Sequence, residues 1–115
     1  MTIRGSCHCG KVRYSHDADP PTVAMECNCS ICRRKGYLHH FTDPEGFRLE
    51  TPREELAVYT FGKHVIRHQF CRTCGCAPFC EGTLPGGKAA VSINLRCSDV
   101  DLSALTIKPF DGASL

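Results

Sequence analysis

The chain has 115 residues, 42% of them hydrophobic, a formal net charge of +2 and ten cysteines. That length fits one domain and excludes two independent cores, and no apolar run approaches the length that crosses a bilayer. The small positive charge makes no case for nucleic acid: no basic stripe accompanies it, and seven ligating thiolates with two divalent ions would reverse its sign.

In chain order, residues 2–6 and 11–16 are expected to form a hairpin with Cys7-His8-Cys9-Gly10 at its tip. Val12 and Tyr14 alternate with Lys11, Arg13 and Ser15, the period of a half-buried strand. Residues 17–22 hold Pro20-Pro21 and read as a loop. Across 22–27, Val23, Met25 and Cys27 alternate with Ala24 and Glu26, which predicts a strand delivering Cys27 on its inward face. Ser30 is placed to cap one or two helical turns that run to Lys35 and end at Gly36. Further strands are expected at 38–42, 47–50, 56–61, 64–70, 77–81 and 89–96, with turns at 43–46 and 84–87. Residues 100–105 read as a short helical turn and 108–115 as a loose tail. The expected fold is mainly β: one small antiparallel domain over 1–115, with little helix and a core that would gain from metal staples.

An even number of cysteines in a short chain is compatible with a disulfide scaffold or with bound metal. The N-terminus, Met1-Thr2-Ile3-Arg4-Gly5-Ser6-Cys7, lacks the apolar run of a signal peptide. The expectation is therefore a cytoplasmic protein, where thiols stay reduced and metal is favoured. Spacing points the same way, since Cys-x-Cys makes a poor disulfide but can chelate one ion.

Three clusters stand out. Cys71-Arg72-Thr73-Cys74-Gly75 has the spacing of a zinc knuckle, in which glycine permits the turn that aims two sulfurs at one point. A knuckle supplies two ligands, and the Cys7/Cys9 pair is a source of two more. Cys27, Cys29 and Cys32 then form a separate triplet, one ligand short of a closed structural site. Either that position is open for an incoming thiol, which a metal ion would hold as thiolate at neutral pH, or Cys76, a histidine or a carboxylate fills it. An iron–sulfur cluster is a further option for Cys-x-Cys-x-x-Cys.

The stretches "GSCHCGKVRY", "CNCSICRRKG", "HQFCRTCGCAPF" and "INLRCSDVD" fall in an order and spacing that resembles the glutathione-dependent formaldehyde-activating enzyme family, which includes centromere protein V-like proteins. The resemblance implies a β-tent fold, a structural zinc on Cys7, Cys9, Cys71 and Cys74, and a catalytic zinc on Cys27, Cys29 and Cys32. It implies two zinc ions per chain and a carbon–sulfur lyase activity that joins glutathione and formaldehyde as S-(hydroxymethyl)glutathione. Cys76 and Cys80 depart from the family pattern; Cys80 and Cys97 are expected to be core thiols.

Other residues are weighed one by one. Arg33, Arg34 and Lys35 are either a solvated helix face or receivers of a peptide's carboxylates. His39 and His40 are neighbours in a strand, so at most one faces the triplet, and each is expected to be a surface or core histidine first. His68 is expected to be buried and hydrogen-bonded behind the ligands. His8 is expected to point away from its neighbours, and Asn94 and Asp99 carry no derived role. The expected function is a zinc-dependent enzyme on a small thiol such as glutathione, without nucleic-acid or membrane partners. The alternatives are a binding module with two structural zinc ions, or the same site on another thiol.

Overall fold

The computed structural model describes residues 1–84 and 86–114. Pro85 of the expected 84–87 turn and Leu115 of the expected tail lie outside the described residues. Strands β1 (Thr2–Ser6) and β2 (Arg13–Asp17) form the expected antiparallel hairpin. Its tip is closed by the Cys7 N–H donating to the Val12 carbonyl at 3.0 Å. With β5 (Phe47–Leu49) beside β2, they make a three-stranded sheet.

The second sheet contains β3 (Val23–Cys27), β4 (His39–Thr42), β6 (Leu56–Tyr59), β7 (Arg67–Cys71), β8 (Phe79–Thr83), β9 (Ala89–Asn94) and β10 (Thr106–Phe110). Their spatial order is β10-β3-β4-β9-β8-β7-β6. Every pairing in it is antiparallel except β10 with β3, which run parallel from Thr106 beside Val23 to Phe110 beside Cys27. The single α-helix among the described residues, α1 (Ser30–Lys35), joins β3 to β4. The expected mainly β architecture is what the chain adopts. No helix among the described residues is long and apolar enough to cross a membrane.

The two sheets meet through aromatic rings. Tyr14 of β2 stacks on Phe47 of β5 with centroids 5.2 Å apart, and Phe47 lies 4.9 Å from Phe79 of β8. Tyr14 and Phe79 are fully buried, and Val12, Leu38, Val91, Ile93 and Leu95 complete the core around them. The Tyr14 ring crosses directly over Gly5 of the paired strand, where any Cβ would overlap it. Glycine is required there by close approach rather than by conformation.

Several expectations are corrected. The 108–115 tail is not loose from its start, because β10 extends the large sheet to an edge. Pro109 can sit there because an edge strand need not donate on both sides. On β2, Ser15 and His16 are buried as well as Tyr14. His16 lies on the face of Val12 and Tyr14 and meets β4, whose Thr42 Oγ1 lies 2.9 Å from its Nε2. On β3 the core-facing residue is Ala24, at 1% exposure, while Val23 is exposed and Met25 and Cys27 border a cavity. The helix cap is Cys29, in extended conformation with no side-chain hydrogen bond, and not Ser30. Gly36 does end the helix in the left-handed region at φ 72°, its N–H bonding the Cys32 carbonyl at 2.8 Å. The strand expected over 64–70 begins only at Arg67, since a turn bonds the His64 N–H to the Phe61 carbonyl. The strand expected over 89–96 ends at Asn94, whose side chain accepts from the Arg96 N–H and starts a 3-10 turn.

Candidate metal centres

Cys7 and Cys9 lie on the hairpin tip, Cys71 ends β7, and Cys74 is in the turn beyond it. The fold brings these four Sγ atoms within 4.8 Å of one another, with Cys7–Cys9 and Cys9–Cys71 both at 3.6 Å. A tetrahedral ion with bonds of about 2.3 Å to sulfur needs sulfur–sulfur separations of about 3.8 Å, so the donor set fits zinc. Backbone N–H groups converge on the same atoms: Val12 on Cys7 at 3.3 Å, and Thr73 and Cys74 on Cys71 at 3.3 and 3.4 Å. Gly75, at φ 84°, makes the turn that aims them. The Cys76 backbone N–H and then that of Cys9 pull the Cys74 thiol down to about 5, favouring the thiolate that ligation requires.

The second group is built around one helix start. Cys27 ends β3, Cys29 is the cap residue and Cys32 lies in the first turn of α1, and their sulfurs again lie within 4.8 Å of one another. The Cys29 N–H donates to Cys27 Sγ at 3.4 Å. Burial raises the Cys32 thiol, reinforced by Cys29 beside it. Cys29 itself is lowered: burial pushes it up, but the Cys32 backbone N–H and the Cys32 and Cys27 thiols outweigh that. All ten cysteines are free thiols, so no disulfide competes for either group.

Cys76 is not the neighbour that completes the triplet. It packs against the core cluster that contains Cys7 and Cys71, and belongs to neither sulfur group. The side chain that reaches the triplet is His39, whose Nε2 lies 3.2 Å from Cys32 Sγ. Its Nδ1 is 2.6 Å from Ser92 Oγ, and burial, then the charge of His68, holds the ring down at about 4, hence neutral at pH 7. With Cys32 ligated as thiolate, its sulfur could only accept, which would put the ring proton on Nε2 and leave Nδ1 to accept from the Ser92 hydroxyl. His40 faces the other way, toward His16, as strand alternation requires. Ser92 was absent from the sequence expectations. Its signal was a lone hydroxyl in the otherwise apolar run Ala89-Ala90-Val91-Ser92-Ile93.

Two clefts border the triplet and share Cys27, Cys32 and Phe110. One, of about 480 Å³, is polar and includes Asn28, Arg33 and Asp111. The other, of about 270 Å³, is walled by Met25, Phe41, Phe61, Ile66 and Leu84. His68 borders this second cavity and is 3% exposed. Its Nδ1 faces the Tyr37 hydroxyl at 3.4 Å, while its Nε2 has no hydrogen-bond partner among the described residues. Burial, then Lys35, lowers its pKa, so this ring is also neutral at pH 7. Of the basic run, Arg34 bonds back to the Ser30 carbonyl at 2.9 Å and Lys35 sits 5.0 Å over the Phe70 ring, leaving Arg33 at the polar cleft. Cys80 and Cys97 are held up at about 11 by burial; Cys80 is the expected core thiol, whereas Cys97 is only half-buried. Asn94 is structural, accepting from the Leu38 N–H at 3.2 Å and donating to the Ala77 carbonyl at 3.0 Å. Asp99 accepts from the Arg4 N–H at 3.1 Å.

The segment after β10 lies across the triplet. Gly112 approaches so closely that a Cβ there would overlap Cys27 Sγ. Asn28 holds the segment by donating to Asp111 Oδ1 at 3.0 Å and accepting from the Ala113 N–H at 2.9 Å. Two such bonds contribute roughly 1 kcal/mol each. Asn28→Ala is therefore expected to speed hydrogen exchange of the Ala113 amide about tenfold or more, with global melting nearly unchanged. Exchange equal to the wild type would show that Asn28 does not hold the segment.

The family described as glutathione-dependent formaldehyde-activating enzyme matches residues 2–109. A putative glutathione-dependent formaldehyde-activating enzyme of Halomonas elongata is 47% identical over 34 residues, which are 30% of this chain and 22% of that protein. The match thus spans about a fifth of that curated relative. The crystal structure of a Rhodobacter sphaeroides protein is similar at a TM-score of 0.76 and 28% identity, covering 92% of this chain and 97% of the other.

Proposed function

The chain belongs to the glutathione-dependent formaldehyde-activating enzyme family, and on that premise we propose that it is a zinc-dependent carbon–sulfur lyase acting on a small thiol. The proposed reaction joins glutathione and formaldehyde as S-(hydroxymethyl)glutathione, or splits that adduct. What carries the proposal is the contrast between the sulfur groups, four forming a closed set and three standing beside two clefts.

In this proposal Cys7, Cys9, Cys71 and Cys74 hold a structural zinc that ties the hairpin of the small sheet to the end of β7. Cys27, Cys29 and Cys32 would hold the second ion, which would supply a position where a small thiol is kept as thiolate at neutral pH. His39 donates its Nε2 proton to Cys32 and fixes that sulfur's orientation, with Ser92 fixing the ring in turn. Arg33 offers a cation to a substrate carboxylate in the polar cleft. His68 Nε2 is the buried donor for the carbonyl oxygen, which ends the reaction carrying the proton that the thiol gave up. Residues 1–115 act as one unit here, in a reducing cytoplasmic setting that suits ten free thiols.

One observation favours a second reading, a binding module with two structural ions: His39 Nε2 lies close enough to Cys32 to move onto a metal as a fourth ligand. Proton exchange spectroscopy on equilibrated glutathione and formaldehyde separates the two. The enzyme is expected to raise adduct exchange at least tenfold over the same mixture without protein. An exchange rate equal to the protein-free control would leave only the module.

A further inference from the structure

Resting on the thiol–aldehyde chemistry proposed above, we infer that the carbonyl substrate of this site is an aldehyde bearing an apolar group, and that formaldehyde is a poor substitute for it. The two clefts that meet at Cys27 and Cys32 are chemically unlike. The polar one has Arg33 and Asn28 beside the carboxylates Glu26 and Asp111, groups of both signs that suit the ammonium and carboxylates of a peptide thiol. Among the described residues of the apolar one there is no Lys or Arg. Its carboxylate, Glu81, is already neutralised by Arg53 through hydrogen bonds of 3.0 and 3.2 Å and by Gln69 at 2.8 Å. Glutathione's two carboxylates and ammonium would find no partner there, and burying such groups unpaired costs several kcal/mol.

An apolar substituent matches it. Phe41, Phe61 and Ile66 line the cavity yet are 46%, 42% and 48% exposed, a grouped apolar surface of the kind that marks a binding site. A cavity of roughly 150 Å³ lined by such residues holds benzene. The volume here, about 270 Å³, therefore accommodates roughly a ring or chain of six to eight carbons. Formaldehyde has no substituent and leaves that surface unused.

One buried polar atom in the cavity wall also fits a carbonyl. His68 Nε2 is buried and without a partner among the described residues, and in the tautomer whose Nδ1 accepts from the Tyr37 hydroxyl it carries the ring proton toward the cavity. The step is an addition. The thiol sulfur forms a bond to the carbonyl carbon, the carbon–oxygen π pair moves to oxygen, and the proton lost by the thiol ends on that oxygen. The product is a thiohemiacetal, RS–CH(OH)R′, and no oxidant or reductant enters.

The test measures exchange between free and adduct states for glutathione with hexanal, with benzaldehyde and with formaldehyde, on metal-loaded protein. Catalytic efficiency for hexanal or benzaldehyde is expected to exceed that for formaldehyde at least tenfold. Ala90→Leu, which adds bulk on the cavity wall, is expected to shrink that preference at least tenfold. Binding of 1-hexanol, followed through the Ile66 methyl resonances, is expected for the wild type and lost in the variant. Acceleration confined to formaldehyde would overturn this inference and leave the reading above standing. Acceleration with none of the three would overturn that reading, and this inference with it. Should Ala90→Leu fail to fold, the wild-type comparison of the three aldehydes decides alone.

Discussion

Cys71→Ala is expected to leave the chain unfolded at 25 °C, with metal content falling to one equivalent or less. Cys71 is fully buried where β7 passes into the turn that carries Cys74, and its sulfur touches that of Cys9 on the hairpin tip. Two backbone N–H groups, from Thr73 and Cys74, point at the Cys71 sulfur and lose their acceptor in the variant. With the aromatic contacts of Tyr14, Phe47 and Phe79 and the Thr42–His16 hydrogen bond, the quartet fastens the small sheet to the large one. Structural zinc contributes roughly 10–16 kcal/mol in small domains, against a total stability of roughly 5–15 kcal/mol for a chain of this class. Removing one of four ligands is therefore comparable to the whole stability. Circular dichroism and metal analysis check the outcome; a folded variant that keeps two ions would refute the structural role.

Cys29→Ser is expected to do the opposite: keep the fold, lose the second ion and lose the whole acceleration of adduct exchange, roughly tenfold or more. Cys29 is half-buried and caps α1 without a side-chain hydrogen bond. Serine is among the favoured residues at that position, so α1 gains a cap worth roughly 0.5–1 kcal/mol as the sulfur is removed. The stability of the variant and its chemistry are thereby separated. One metal equivalent, retained secondary structure and exchange at the protein-free rate are the expected results. Two equivalents with exchange at the wild-type rate would remove Cys29 from the site.

The contrast between these variants reflects what could be read from the chain and what could not. The sulfur groups were legible because spacings suited to chelation are short: Cys7/Cys9, Cys71/Cys74 and Cys27/Cys29/Cys32 are each brought together by local backbone geometry. The first hairpin and the Gly36 stop were legible for the same local reason. Which face of β3 meets the core was not, because alternation separates two faces without saying which is covered. Ala24 faces the core and Met25 and Cys27 face the cavity, the reverse of what side-chain size indicates. Strand β10 was hidden because it is exposed along its length and contains Pro109, both expected of an edge and both shared with loose chain. The contact of His39 with Cys32, the Ser92 support behind it and the apolar cavity depend on β3, α1, β4, β8 and β9 meeting in space. No short window of sequence encodes those meetings.

The central claim is that one metal site is closed by protein and the other has room for a thiol. Cobalt substitution followed by titration with a small thiol tests it most directly, because sulfur-to-cobalt charge transfer counts cobalt–sulfur bonds. Two cobalt equivalents with absorption for seven such bonds are expected, four from one group and three from the other. Adding thiol should raise the absorption toward eight bonds and saturate at one equivalent per chain. A spectrum that does not change with thiol, as His39 or another side chain in the fourth position would produce, contradicts the account.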